Sequence, residues 1–278
     1  GKTFAVVTGT AVDQFVLGKF PDAKLQYYNS PLDAAIAVRD GKADATAYDK
    51  PIVENIAAKN DGLVVLPELL NQDQFGFAVQ LHNKELKNTI DSVVSELKAN
   101  GTYDDMLKRW FPKHGSPAPM PDIKLTGNKG TLRLGIADSG EPIAYIDSSN
   151  KFTGFDIEIT AYIAQKLDMQ LEIVNMEFGA LIPALQAGKI DMIASGISIT
   201  EERAKKVLFS ESYYDGGIAV IVASTPGASK GNTSGKPDKS TVSSFIQSLS
   251  DSFHNNMIVE RRYLLIVDGL KVTVLISL

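Results

Sequence analysis

Cysteine is absent from this 278-residue chain, which excludes disulfides, thiol nucleophiles and thiolate-ligated metal. Histidine is scarce. The three present, His82, His114 and His254, stand in unrelated contexts without metal-ligand spacing, so surface positions and no metal site are expected. The only tryptophan, Trp110, closes an amphipathic stretch and reads as a packing residue. Basic charge is not in excess: 28 Lys and Arg against 33 Asp and Glu leave a net −5, which offers nucleic acid no basic face. No apolar run reaches the roughly 20 residues of a membrane span. The longest such run, 263–278, is interrupted by Asp268 and Lys271. It reads either as the start of a membrane segment continued beyond Leu278 or as a buried core element. The chain opens on Gly1 without a signal-type apolar stretch, so a processed form is expected. Hydrophobic content of 44% and charged content of 22% are those of a globular protein with room for two lobes.

What is present is a phrase that occurs twice. Residues 33–49 read DAAIAVRDGKADATAYD and residues 180–196 read ALIPALQAGKIDMIASG. Each is an apolar-periodic helix, a Gly-Lys-x-Asp turn and a short Ala-rich strand, which is one αβ unit of a parallel sheet. The copies lie much farther apart than a solenoid period of about 50 residues. The fold class expected is therefore α/β, with two similar lobes whose strand ends face one cleft, where open α/β sheets bind ligands.

Along the chain, strands are expected near 3–8, 24–28, 43–48, 63–66 and 75–80, with helices at 13–19, 31–39, 51–58, 84–99 and 101–110. Periodicity stops from 112 to 130, where prolines 112, 117, 119 and 121 indicate an extended linker. It resumes with strands at 131–137, 170–174, 190–194 and 217–223, a hairpin-like stretch at 142–152, and helices at 154–167, 179–187 and 201–206. Residues 225–240 lack large apolar side chains and read as a flexible tether. Beyond it, 242–262 has a helical amphipathic pattern.

Three short segments carry candidate chemistry. In 195–203, SGISITEER, a strand ends on small residues and Thr200 caps a helix whose first turn holds Glu201 and Glu202. The Ser198 hydroxyl and the Arg203 fork suit a carboxylate, which guanidinium grips bidentately. Equally, Arg203 pairs with Glu201 or Glu202 on the surface. Residues 7–11, Val-Thr-Gly-Thr-Ala, form a strand-to-helix turn that can cradle an anion on backbone N–H groups. Tyr48-Asp49-Lys50-Pro51 ends the first repeat strand, and Asp49 either receives an ammonium group or caps the helix that Pro51 opens. An arginine with a hydroxyl on one lobe, and a carboxylate with an N–H cradle on the other, complement a free α-amino acid.

These segments also resemble a known family. Residues 131–223 are similar to the first lobe of the bacterial periplasmic amino-acid-binding proteins, the glutamine-binding type in particular, through GFDIEITAYIAQKL, MEFGALIPALQAGKIDMIASGISITEER and FSESYYDGGIAVIV. Residues 1–111 resemble the second lobe through GKTFAVVTGT, DGKADATAYD and LKANGTYDDMLKRWF. The resemblance implies a two-lobed, type II periplasmic-binding fold with a central cleft. It implies that Arg203 and Ser198 hold the ligand carboxylate with backbone at Gly196, Thr10 and Ala11, that Asp49 takes the ammonium, and that Phe178 packs on the ligand side chain. The sequence departs from the pattern at Ser139-Gly140-Glu141, where an aromatic usually precedes the proline, and at Val7 and Tyr48, where the glutamine-binding type has lysine and histidine. These positions, Tyr48 among them, bear on the choice of side chain.

The order of the lobes is reversed relative to the family, which implies a circular permutant or a piece of two tandem copies. The boundaries expected are 1–111 for the second lobe with its closing helix, 112–130 for the linker, 131–224 for the first lobe, 225–241 for the tether, and 242–278 for an amphipathic segment and apolar tail. That tail resembles the entry to the first membrane helix of amino-acid ABC-transporter permeases. The function implied is an extracytoplasmic, membrane-tethered binding module. Its ligand is a polar amino acid, glutamine or another, its partners are an ABC permease and its ATPase, and it uses no cofactor. A sensory module of a membrane signalling protein is the alternative. An enzyme, a lyase or dehydratase on this scaffold, is not expected, because its general acid or base would have to be Asp138, Glu141 or Asp215, which solvated loop positions explain equally well.

Overall fold

The computed structural model of the chain describes residues 1–112 and 117–224. The expected tether at 225–241, the tail at 242–278, and His114 and His254 lie outside the described residues.

The first elements are β1 (Thr3–Val7), α1 (Val12–Lys19), β2 (Lys24–Tyr28), α2 (Pro31–Arg39), β3 (Ala45–Asp49), α3 (Lys50–Lys59) and β4 (Leu63–Phe75). There follow β5 (Ala78–Val79), α4 (Lys84–Ala99) and α5 (Thr102–Trp110). After the linker come β6 (Thr131–Ile136), β7 (Ser139–Gly140), β8 (Ala144–Ile146), β9 (Phe152–Thr153), α6 (Phe155–Leu167) and β10 (Gln170–Asn175). A 3-10 turn at Phe178–Ala180 leads into α7 (Leu181–Gln186), and β11 (Met192–Ile193), α8 (Glu201–Ala204), β12 (Leu208–Phe209) and β13 (Tyr214–Ala223) complete the order.

Two five-stranded sheets result, β2-β1-β3-β13-β4 in lobe I and β10-β6-β11-β5-β12 in lobe II, with a small β7-β8-β9 sheet beside them. The two have one plan. In each, three strands run parallel, and the fourth lies antiparallel to both of its neighbours. The repeated Gly-Lys-x-Asp phrase explains the match. Gly41 and Gly188 adopt φ of +73° and +68° after α2 and α7, the left-handed turn that glycine adopts without strain. The aspartates that follow then staple the next strand to its parallel neighbour, β1 or β6. Asp44 accepts from Thr3 N–H at 2.8 Å, and Asp191 accepts from Arg133 N–H at 2.8 Å.

The lobes do not divide at the linker as the sequence suggests. β13, expected in the lobe built from 131–224, lies between β3 and β4 of lobe I, while β5, from the first half, lies between β11 and β12 of lobe II. The chain thus crosses between lobes twice, once from β4 into β5 and once from β12 into β13. Ala78, Val79 and Ile218–Ile221 are buried, and a strand covered on all sides carries no sign of which sheet receives it. β4 also runs on to Phe75 where only 63–66 was expected, because Glu68, Asn71, Gln72, Asp73 and Gln74 mask it as loop.

The helices α4 and α5 close over lobe II against α6. Trp110, 1% exposed, donates its indole N–H to Glu158 of α6 at 2.6 Å, and Arg109 joins the same carboxylate at 2.9 Å. Nor is the Pro-rich linker free. Gln165 and Gln170 of lobe II donate to the carbonyls of Lys124 and Leu125 at 3.1 and 3.3 Å.

Candidate functional site

Between the lobes lies a narrow cavity of about 10 Å³, lined by Thr10, Ala11, Val12, Phe15, Tyr48, Asp49, Phe178, Gly196, Ser198, Arg203 and Ile218. All eight residues singled out from the sequence line it, four from each lobe. Val12, Phe15 and Ile218 were not singled out, and their apolar types gave no reason to separate them from core.

Lobe I contributes through two strand ends. β1 runs into the Gly9 turn, and there the Thr10 N–H and hydroxyl both close on the Val7 carbonyl, at 3.3 and 2.8 Å. The Thr10 donors are therefore engaged in the turn rather than offered freely as a cradle. At the end of β3, Asp49 occupies the N-cap position of α3 without any side-chain capping bond. Its carboxyl faces the cavity and is nearly buried. Burial first, and then the neighbouring Asp73, push its pKa well above the usual carboxylate range, against the pull of Arg203. Burial likewise raises the Tyr48 phenol.

Lobe II contributes the segment after β11. Thr200 caps α8 by accepting from Arg203 N–H at 3.2 Å, as expected from its position. Arg203 is 8% exposed, and the outward pairing with Glu201 or Glu202 does not form. Glu202 bonds instead to Lys206 at 2.9 Å and to Gln14 of lobe I at 3.3 Å. The guanidinium donates to the Ser198 carbonyl at 3.0 Å, reaches the Gly9 carbonyl of lobe I at 3.5 Å, and stands 5.4 Å over the Phe178 ring. Burial lowers its pKa, though Tyr48, Asp73 and Asp49 oppose the shift.

Two buried acids escaped the sequence reading. Asp73 of β4 accepts from the Ser198 hydroxyl at 2.7 Å. Asp156 in the first turn of α6 accepts from Gly196 N–H at 2.8 Å and from the Tyr213 hydroxyl at 2.7 Å. Burial raises both carboxyls, that of Asp156 to about 7. A signal existed for each: an acid, Asp73, in alternation with the apolar Phe75 and Phe77, and an acid inside the otherwise apolar GFDI start of a helix.

The lobes meet closely around the cavity. A Cβ on Gly9 would come within 2.6 Å of Gly179 Cα, and Lys59 of lobe I pairs with Glu141 at 2.6 Å. That ion pair, with Asn55 at 3.3 Å, engages one of the acids weighed as a catalyst, and Asp215 accepts from Gln74 at 2.9 Å. Among the described residues no group of His, Asp and Glu is arranged to hold a metal ion, and no helix is long and apolar enough to cross a membrane. The cavity brings together one guanidinium, one carboxyl and aromatic side chains, a set of charges complementary to a small zwitterion.

Comparison with known proteins points the same way. Residues 132–258 match the family described as bacterial extracellular solute-binding proteins, family 3, in the half that carries Ser198 and Arg203. The chain is 44% identical over 84 residues to a "Probable histidine-binding protein" of Campylobacter jejuni, covering 30% of this chain and 32% of that one. It is 30% identical over 141 residues to a "Probable amino-acid ABC transporter-binding protein" of Haemophilus influenzae, covering 50% of this chain and 52% of the relative. Among solved structures, "An ancestral arginine-binding protein bound to arginine" aligns at 45% identity over 31% of this chain and 38% of that one, with a TM-score of 0.30. The chain thus spans between about a third and a half of the length of these curated relatives. The paired mixed sheets and the family match support a two-lobed type II periplasmic-binding fold.

Proposed function

We propose that this chain is the substrate-binding module of an amino-acid importer of the ABC class, holding a free polar L-amino acid between its lobes on the outer face of the cell membrane. The observation that carries the reading is that Arg203 of lobe II and Asp49 of lobe I face one buried cavity from opposite sides. The ligand carboxylate would lie on Arg203, with the Ser198 hydroxyl turning to it from Asp73, its ammonium on Asp49, and its side chain against Phe178 and Tyr48. Because those groups belong to different lobes, only the closed arrangement satisfies both ends of the ligand, so binding draws the open–closed equilibrium toward closure. The similarity to a probable histidine-binding protein and the glutamine-type motifs agree on a polar ligand. The segments follow one another in the order of a circular permutant, and a permease and its ATPase would receive the ligand, with the chain joined to the membrane through its carboxy-terminal segment.

The test begins with a thermal-shift screen of the twenty amino acids, since a ligand that binds only the folded state raises its stability by mass action. Calorimetry on Arg203→Ala and Asp49→Ala then follows. Leaving a buried charge without its partner costs about 3–5 kcal/mol, so each variant is expected to bind at least about 100-fold more weakly. Affinity within a few-fold of the parent in either variant rejects the assignment.

A further inference from the structure

The polar lining that lobe II gives the cavity comes from one stretch, the Gly196–Ser198 loop and the Arg203 that follows it. Gly196 and Ser198 line the cavity directly, and the Ser198 carbonyl anchors the Arg203 guanidinium at 3.0 Å. A displacement of this loop therefore moves every polar group that lobe II presents to the cavity. What holds the loop in place lies beneath it and reaches both crossovers between the lobes.

At the first crossover, Phe75 forms a bridge with Ser198, and Gly76 N–H donates to the Ile197 carbonyl at 3.2 Å. At the second, Tyr213 donates its own N–H to the Phe75 carbonyl at 3.0 Å, so the two crossovers are bonded to each other. The Tyr213 ring stacks on Phe77 with centroids 4.2 Å apart. Its hydroxyl ends on Asp156, whose other oxygen takes the Gly196 N–H. Asp156 has no exposed surface. An ionised carboxylate accepts on both oxygens and donates on neither, and Asp156 has one donor on each. Nothing in the capture of a zwitterion by Arg203 and Asp49 uses this acid.

We propose that Asp156 is a positioning residue: its carboxylate ties the Gly196–Ser198 loop to Tyr213 on the second crossover, so that a ligand seated on the loop also fixes the pivot about which the lobes close. The idea rests on the amino-acid-binding reading above. A ligand drawing on Ser198 and Arg203 tightens the loop. The loop is bonded through Asp156 to Tyr213, and Tyr213 through Phe75 to the first crossover, so both connecting strands take one arrangement together.

The experiment compares the parent with Asp156→Asn and Tyr213→Phe. The chain has no cysteine, so Lys19→Cys on lobe I and Lys189→Cys on lobe II give a unique pair of sites for spin labels in all three backgrounds. Each protein is titrated calorimetrically with the twenty standard L-amino acids, and the inter-label distance is measured with the best binder at saturation. Losing a hydrogen bond to a buried charge is expected to weaken binding about 10-fold in Asp156→Asn and about 5-fold in Tyr213→Phe. At saturation the parent is expected to give one short distance, and the variants a residual longer one. A role in stability alone would lower the melting temperature and leave the saturated distance unchanged. Should Asp156→Asn fail to fold, Tyr213→Phe, which keeps the ring stack on Phe77, decides the matter. Full closure with affinity within twofold of the parent overturns the inference and leaves the binding function standing. A folded parent that binds none of the twenty amino acids overturns both.

Discussion

Asp49, Asp73 and Asp156 are nearly or wholly withdrawn from water, and Arg203 is the one buried cation among the described residues. Burial is the largest influence on each of the three carboxyls and raises all of them. An acid whose folded-state pKa is raised binds its proton more tightly when folded, so its contribution is full below the unfolded value near 4 and is lost as pH rises through the folded value. For Asp156 that value is about 7. The ligand-free protein is therefore expected to melt at a higher temperature at pH 5 than at pH 7.5. Asp156→Asn should flatten part of that slope, and scanning calorimetry across the interval checks it. Acids with lowered values, such as Asp44 and Asp191, act below pH 4 and leave this window unaffected. The sequence displayed Arg203 and Asp49 because each sits at a strand-to-helix junction where a charged residue invites a reason. It did not display Asp73 or Asp156, whose part in the site depends on neighbours 40 to 125 positions away.

Among the elements, α5 shows how a local pattern becomes a tertiary fastening. Its apolar residues Tyr103, Met106 and Trp110 follow helical spacing and are all buried. What fixes the helix to α6 is polar. Glu158 is fully buried and takes both the Trp110 indole N–H and the Arg109 guanidinium. Burial still raises its pKa, with both partners acting the other way. Glu158→Ala would strand a buried N–H and a partly buried guanidinium, at a cost of about 3 kcal/mol. Urea unfolding should register that loss. A destabilisation under 1 kcal/mol would mean that apolar packing alone holds α5. Helical elements such as this were legible from periodicity. β12 was not, because two residues carry no period, and the polar stretch of β4 concealed a strand held by pairing with β13.

For the molecule as a whole, the closed arrangement depends on how nearly two backbones can approach. Gly9 has φ of +78°, and a Cβ there would come within 2.6 Å of Gly179 Cα across the cleft. Gly9→Val places branched carbon in that seam and strains its own backbone. We expect the variant to fold, to bind the parent's ligand at least about 10-fold more weakly, and to show no contraction by small-angle scattering when ligand is added. Contraction equal to the parent's would show that the seam does not govern closure. The same seam explains why the ligand groups of the two lobes meet at all: Arg203 reaches the Gly9 carbonyl only because nothing stands between them.

By itself the sequence determined the α/β class, the doubling of the αβ unit and the residues at the strand ends. These follow from periodicity, glycine turns and charge placement within short windows, where the physics is local. Tertiary structure alone decided which sheet receives β5 and β13, that Asp49 turns inward rather than capping α3, and that Arg203 leaves its neighbouring glutamates for the cavity. Each of these depends on burial and pairing between segments far apart in the chain. Desolvation and strand exchange depend on where the chain ends up in space, and no short stretch of sequence records that.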